Sequence, residues 1–219
     1  MPIEISLRHG PSALRAAGAL ADLYRAAFCG PPWNEDESRV ARFVSRLEGD
    51  VDRPGFVAAV ARMDGRPVGF GTAWRTPAPF PQDRRYGDVT AQLGGEWVSE
   101  WLVGAQEIDE LAVSPAAQRR GIGPRILEIL TGLGTSAGTW LLTSTKSPVT
   151  VPFYRKCGWR QVTEDGTEIV VFLSPQHPYC FAGGRWPGQR RSEKEEISDV
   201  APTGDHTQGP DRGGVQASR

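Results

Sequence analysis

Residues 106–133 read QEIDELAVSPAAQRRGIGPRILEILTGL, and this stretch decides the fold. It opens as a carboxylate-bearing strand ending near Val113 and breaks at Ser114-Pro115. A short basic loop follows, Gln118-Arg119-Arg120-Gly121-Ile122-Gly123, and leads into an amphipathic helix. A strand thus delivers its end to a helix N-terminus. The N–H groups of a first helical turn lack partners, and the helix dipole adds positive charge beside them. Glycine at 121 and 123 lets backbone approach an anion with no Cβ in the way. The stretch reads as a phosphate site a few residues from Glu107, Asp109 and Glu110.

On the N-terminal side, Phe56–Met63 and Arg66–Trp74 are β-prone runs joined by the tight-turn pair Asp64-Gly65, which predicts an antiparallel hairpin. Ile3 to Leu7 alternates as a half-buried strand. Leu14, Ala17, Leu20, Ala21, Tyr24 and Phe28 recur at helical spacing from Pro11 onward, and Cys29-Gly30-Pro31-Pro32 ends that helix. Asn34 is the expected N-cap of a second helix, with Val40, Phe43, Val44 and Leu47 as its apolar face. Thr76 to Gly104 shows no clear period. It reads as a long insertion with one short helix around Val98.

On the C-terminal side, Thr139–Thr145 predicts a strand and Ser147–Lys156 a short helix that exits through Cys157-Gly158-Trp159. Arg160–Thr163 and Ile169–Leu173 form a last strand pair. From Gly183 the chain has few large apolar residues and reads as disordered. The expected organisation is one domain over 1–175 and an extended tail over 176–219. The order β-α-α-β-β-β-α-β-α-β-β predicts an α+β fold, with a mixed, mostly antiparallel sheet and helices on both faces.

Composition narrows the function classes. Lys+Arg 25 against Asp+Glu 26 gives a net charge of -1, so no global field argues for nucleic acid or a membrane surface. The first residues have neither a basic nor an apolar leader segment, and no apolar run approaches the ~18 residues of a membrane-spanning helix. Cys29, Cys157 and Cys180 are odd in number and far apart, which fits a reduced, cytoplasmic protein without a structural metal. His9, His177 and His206 add no ligand pattern.

Gln118-x-x-Gly121-x-Gly123, set between that strand and that helix, resembles the acetyl-CoA motif of the GNAT superfamily of acyl-CoA-dependent N-acyltransferases. Phe153-Tyr154-Arg155-Lys156-Cys157-Gly158-Trp159 is similar to the aromatic-Tyr-x-x-x-Gly-Phe/Trp helix exit of the same superfamily. The element order agrees from about Ile3 to Leu173. Two features depart from the pattern. Ser147 and Thr150 stand where the family often has Asn and Ala, and Pro124 removes one N–H from the phosphate cradle.

The resemblance implies a splayed central strand pair that admits acetyl-CoA as co-substrate. By the same resemblance Leu111, Ala112 and Val113 hold the pantetheine arm, assisted by Ser147. Gln118, Arg119, Arg120, Gly121, Ile122 and Gly123 then hold the pyrophosphate. The implied activity is acetyl transfer to a primary amine of a small molecule by direct attack in a ternary complex. Alternatives are a protein N-terminal or lysine acetyltransferase, and an inactive acyl-CoA sensor. Glu107 and Asp109 are favoured over Glu110 as the base, and Tyr154 is the general acid. Trp33, Trp74 and Glu110 are expected to bind the acceptor, with Tyr86, Trp97 and Trp101 as further candidate walls. A monomer or homodimer is expected.

Overall fold

The computed structural model describes residues 2–182. The tail expected to be disordered from Gly183 lies outside the described residues. Strands β1 (Ile3–His9), β2 (Val57–Met63), β3 (Arg66–Arg75), β4 (Gln106–Val113), β5 (Thr139–Ser144), β6 (Arg160–Gln161) and β7 (Ile169–Leu173) form one sheet in the order β1-β2-β3-β4-β5-β7-β6. All neighbours are antiparallel except β4 and β5. The helices are α1 (Ala17–Phe28), α2 (Glu37–Asp50), α3 (Tyr86–Leu93), α4 (Gly95–Trp101), α5 (Ile122–Gly132) and α6 (Thr150–Lys156).

Local chemistry explains most of the boundaries. Asp64 (φ 52°) and Gly65 (φ 75°) turn the β2–β3 hairpin, the left-handed pair that matches strand twist. Asp36, not Asn34, caps α2: its carboxylate accepts from Ser38 N at 2.9 Å, whereas Asn34 sits at φ 49° in the preceding turn. The helix expected from Pro11 begins as a 3₁₀ segment over Gly10–Ala16 and becomes α-helical at Ala17.

Each helix group covers a defined part of the sheet. α5 and α6 pack on one face over Ala59, Ala73, Ile108, Leu141 and Phe172. α5 lies very close to β3 at Gly71, where a Cβ would come within 2.9 Å of Ile126 Cγ2 and Leu130 Cδ1. On the other face α1 and α2 cover Ala58, Val60, Phe70 and Ala112.

The expectation of an aperiodic insertion over 76–104 is corrected. It contains α3 and α4, whose Tyr86, Val89, Leu93, Trp97 and Val98 form a third core with Trp140, Val171 and Leu173. The fold also continues beyond the expected domain end at 175: His177 and Tyr179 are buried, and Tyr179 packs edge-on against Trp97 and Trp101.

Two irregularities of β4 position the site. Its pairing with β5 covers only Gln106, Glu107 and Ile108, so the strands diverge from Asp109 onward. Its pairing with β3 runs Thr72↔Glu110 and then Ala73↔Ile108, which leaves Asp109 as an extra, bulged residue.

Candidate active site

The divergence of β4 and β5 opens into a cleft of about 1310 Å³. Its walls include Leu111, Ala112 and Val113 of β4, Gly121 to Leu127 around the start of α5, and Ser147, Phe153 and Tyr154 of the β5–α6 segment. Phe28, Pro31 and Trp33 line it from the end of α1. The strand, loop and helix quoted first therefore make one side of a single cavity, and Tyr154 comes from the other.

Backbone geometry sets the residues expected to hold the donor. Ser114 N donates to Val68 O on the β3 side, so the two-residue alternation turns the N–H groups of Leu111 and Val113 toward the gap. Val113 O accepts from Gln118 Nε2 at 3.3 Å, which ties the loop to the strand end. Arg119 (φ 61°) and Gly121 (φ 77°) are both left-handed, and Gly121 is the N-cap of α5. Arg119 lines the cleft, whereas the Arg120 guanidinium turns away to Met63 Sδ at 3.7 Å, leaving only its backbone for an anion.

These residues fit a CoA thioester. The gap exposes a strand edge for an extended amide-bearing arm, and the helix N-terminus faces a phosphate. Ser147 adds the most direct sign. It is 2% exposed, its Oγ has no hydrogen-bond partner, and it lines the cleft. A buried hydroxyl without a partner costs free energy until something bonds to it.

The Asp109 bulge changes the face count of the carboxylates. In a regular strand Glu110 would lie on the face opposite Glu107 and Asp109. Here all three have partners from the α2 and insertion side. Tyr86 Oη donates to Glu107 Oε2 at 2.7 Å, Arg84 Nη1 to Asp109 Oδ1 at 2.7 Å, and Arg46 Nη2 to Glu110 Oε1 at 3.0 Å. Arg84 also holds Asp50 Oδ2 at 2.7 Å, and Asp50 accepts from Arg53 at 2.8 Å.

Burial raises all three carboxyls. Glu107 is pushed to about 8 mainly by desolvation and then by the Asp109 charge, with the Tyr86 bond opposing. Desolvation also raises Asp109, against the pull of Arg84. Glu110 is pushed to about 8 by desolvation and then Asp109, with Arg46 opposing. The Tyr154 hydroxyl is raised by burial and by Glu110, so it keeps its proton at neutral pH. Burial likewise raises the Cys157 thiol, which lines the cleft but is not prepared as a thiolate.

The expected acceptor residues divide. Trp33 lines the cleft and packs edge-on against Phe28, and its carbonyl accepts from Lys146 Nζ at 2.5 Å. Trp74 does not reach the cleft. It is fully buried against Phe56, with the Arg53 and Arg84 guanidiniums 4.9 and 5.0 Å from its ring centroid. Trp97 and Trp101 pack on Tyr179. Arg84 and Tyr86 are the side chains that bond to Asp109 and Glu107 and were not singled out from sequence as their partners. Their signal was a basic-aromatic run, Arg84-Arg85-Tyr86, inside a segment without period. Among the described residues no group of three or more His, Cys, Asp or Glu could hold a metal ion, and no helix is long and apolar enough to cross a membrane.

Comparison with known proteins agrees with this architecture. Residues 54–161, just under half of the chain, match the model of the acetyltransferase (GNAT) domain. Among solved structures, the chain is similar to the PaiA N-acetyltransferase of Thermoplasma acidophilum, itself solved in complex with coenzyme A. That pair shares 15% identity over 80% of this chain and 99% of that one, with a TM-score of 0.53. It is also similar to an acetyltransferase from Thermus thermophilus, at 16% identity over 79% of this chain and 96% of that chain, TM-score 0.51. A third is the protein PH1933 from Pyrococcus horikoshii, at 18% identity over 79% and 98%, TM-score 0.53. At such identities the likeness establishes the fold. No curated protein sequence matches the chain.

Proposed function

We propose that this acetyltransferase moves an acetyl group from acetyl-CoA to a primary amine of a small molecule, by direct attack within a ternary complex. The observation that carries this reading is the gap between β4 and β5. It has a partnerless Ser147 hydroxyl and a helix N-terminus among its walls, and one of its edges is β4, the strand that also carries Glu107, Asp109 and Glu110.

The chemistry is set by protons. An alkylamine of pKa ~10.4 is only ~0.04% neutral at pH 7, which represents ~4–5 kcal/mol of the barrier. A carboxylate of β4 lowers that cost by taking the ammonium proton. The amine nitrogen then attacks the thioester carbonyl, the C–N bond forms and the C–S bond breaks. Tyr154, protonated at neutral pH, donates to the leaving thiolate. That donation contributes modestly, because a thiol near pKa ~8.5 leaves readily. With the Cys157 thiol raised by burial, a covalent acyl-enzyme finds no prepared nucleophile.

The test has two readouts: isothermal titration with acetyl-CoA, then thiol release with a panel of small amines and of peptides. Binding with turnover of small amines is expected. Turnover confined to peptides would replace the acceptor class, binding without turnover would make the chain a sensor, and absent binding would remove the donor.

A further inference from the structure

We infer that Glu110, rather than Glu107 or Asp109, is the base that takes the proton from the acceptor amine. The inference rests on the transferase reading above. Its ground is the Asp109 bulge, which turns Glu110 onto the α2 side of β4, against Arg46, at the level where β4 and β5 have separated. The next residues along the strand, Leu111 and Ala112, line the cleft itself.

The other two carboxyls are committed elsewhere. Glu107 is one of the three residues of β4 paired with β5, is 2% exposed, and accepts from the Tyr86 hydroxyl. Asp109 is clamped by Arg84, whose other nitrogen is held by Asp50, so its charge serves to anchor the insertion. Glu110 has a single arginine partner, Arg46, one-third of whose side chain remains exposed. It can exchange a proton with a ligand or a water without dismantling a network.

The groups around Glu110 fit the role from every side. Asp109 and Arg46 act on its charge from β4 and α2, and Glu35 from the α1–α2 connection. Tyr24 of α1, which donates to Glu35 at 2.7 Å, and Tyr154 of α6 both feel the Glu110 charge. Glu110 lies on the α2 side of the sheet and Tyr154 on the α5–α6 side, and the charge of Glu110 acts on the Tyr154 hydroxyl across β4. Glu110 accepts the ammonium proton and Tyr154 supplies one to sulfur, and both then re-equilibrate with solvent. A carboxyl that titrates near the operating pH is the most effective form for this task.

The experiment compares wild type with Glu110→Gln and Arg46→Gln, using acetyl-CoA and the best small amine of the panel, from pH 6 to 10. Expected for Glu110→Gln are acetyl-CoA affinity as in wild type, a kcat lower by about 100-fold or more at pH 7, and loss of the limb near pH 8 in kcat/KM. The amine's own proton gives a limb near pH 10 in both proteins, so the deficit narrows there. Arg46→Gln, which removes the cation that favours the ionised carboxyl, is expected to shift the limb upward and keep it. That response reads Glu110 titration even should Glu110→Gln fold poorly. A kcat within threefold of wild type for Glu110→Gln, or an unmoved limb in Arg46→Gln, would overturn the assignment while leaving the transferase reading intact. A wild type that binds acetyl-CoA and acetylates no amine would overturn both.

Discussion

Replacing Glu107 by Gln should flatten the dependence of stability on pH. The amide keeps an oxygen to accept from Tyr86 Oη, now 2.7 Å from the carboxylate, but it cannot ionise. In the folded chain the carboxyl titrates at about 8 against an ordinary 4.5, so the folded state binds the proton more tightly than the unfolded one. The sign follows from linkage. The contribution is complete below the unfolded value and is lost as pH rises through the folded one. Between pH 6 and 9 this amounts to a loss of about 2–3 kcal/mol for one group, a large share of a total of about 5–15 kcal/mol. Glu110 carries a similar elevation, so wild type should lose about twice as much as Glu107→Gln over that range. The assay is urea unfolding at pH 6 and pH 9 for both proteins, with unchanged m-values as the control. Equal losses in wild type and Glu107→Gln would refute the reasoning, since Glu107 would then ionise in the fold as freely as in the unfolded chain.

Three other substitutions probe separate parts. Gly71→Ala places a methyl within 2.9 Å of Ile126 and Leu130, and calorimetry should read a loss of about 1–3 kcal/mol; unchanged stability would mean that α5 lies farther from β3. Leu102→Ala removes a fully buried side chain of the insertion core and should cost about 2–5 kcal/mol in the main unfolding transition, whereas an unshifted transition would separate the insertion from the fold. Gly121→Val meets no atom within 4 Å, but it forces a β-branched residue to φ 77°. It should raise the KM for acetyl-CoA more than that for the amine, and the reverse order would contradict the phosphate cradle.

Legibility of the chain followed the range of the interactions involved. Asp64-Gly65 and the strand–loop–helix around Gly121 depend on neighbours in sequence, and both stand in the structure where the pattern put them. The insertion was obscured by Pro77, Pro79 and Pro81, and by Gly94-Gly95 between its helices. Its apolar residues Tyr86, Val89, Leu93, Trp97 and Val98 do carry a helical spacing that a shorter window would detect. The Asp109 bulge is a register event between β3 and β4, which no single-strand pattern encodes, and it decides which carboxyls share a face. Tyr179 packs against Trp97 and Trp101 from about eighty residues away, so its place in the fold was equally invisible locally.

The three-pair joint between β4 and β5 has a mechanical consequence. On the α5–α6 face, α5 lies mainly over β2, β3 and β4, while α6 rests on β5 and β6. The sheet is thus two panels meeting along a short seam, with an open fork above it. An extended arm bonded to Leu111 and Val113 on one panel and to Ser147 on the other would continue that seam. Donor binding then stitches the panels, and the liganded chain should unfold as a tighter unit than the free one.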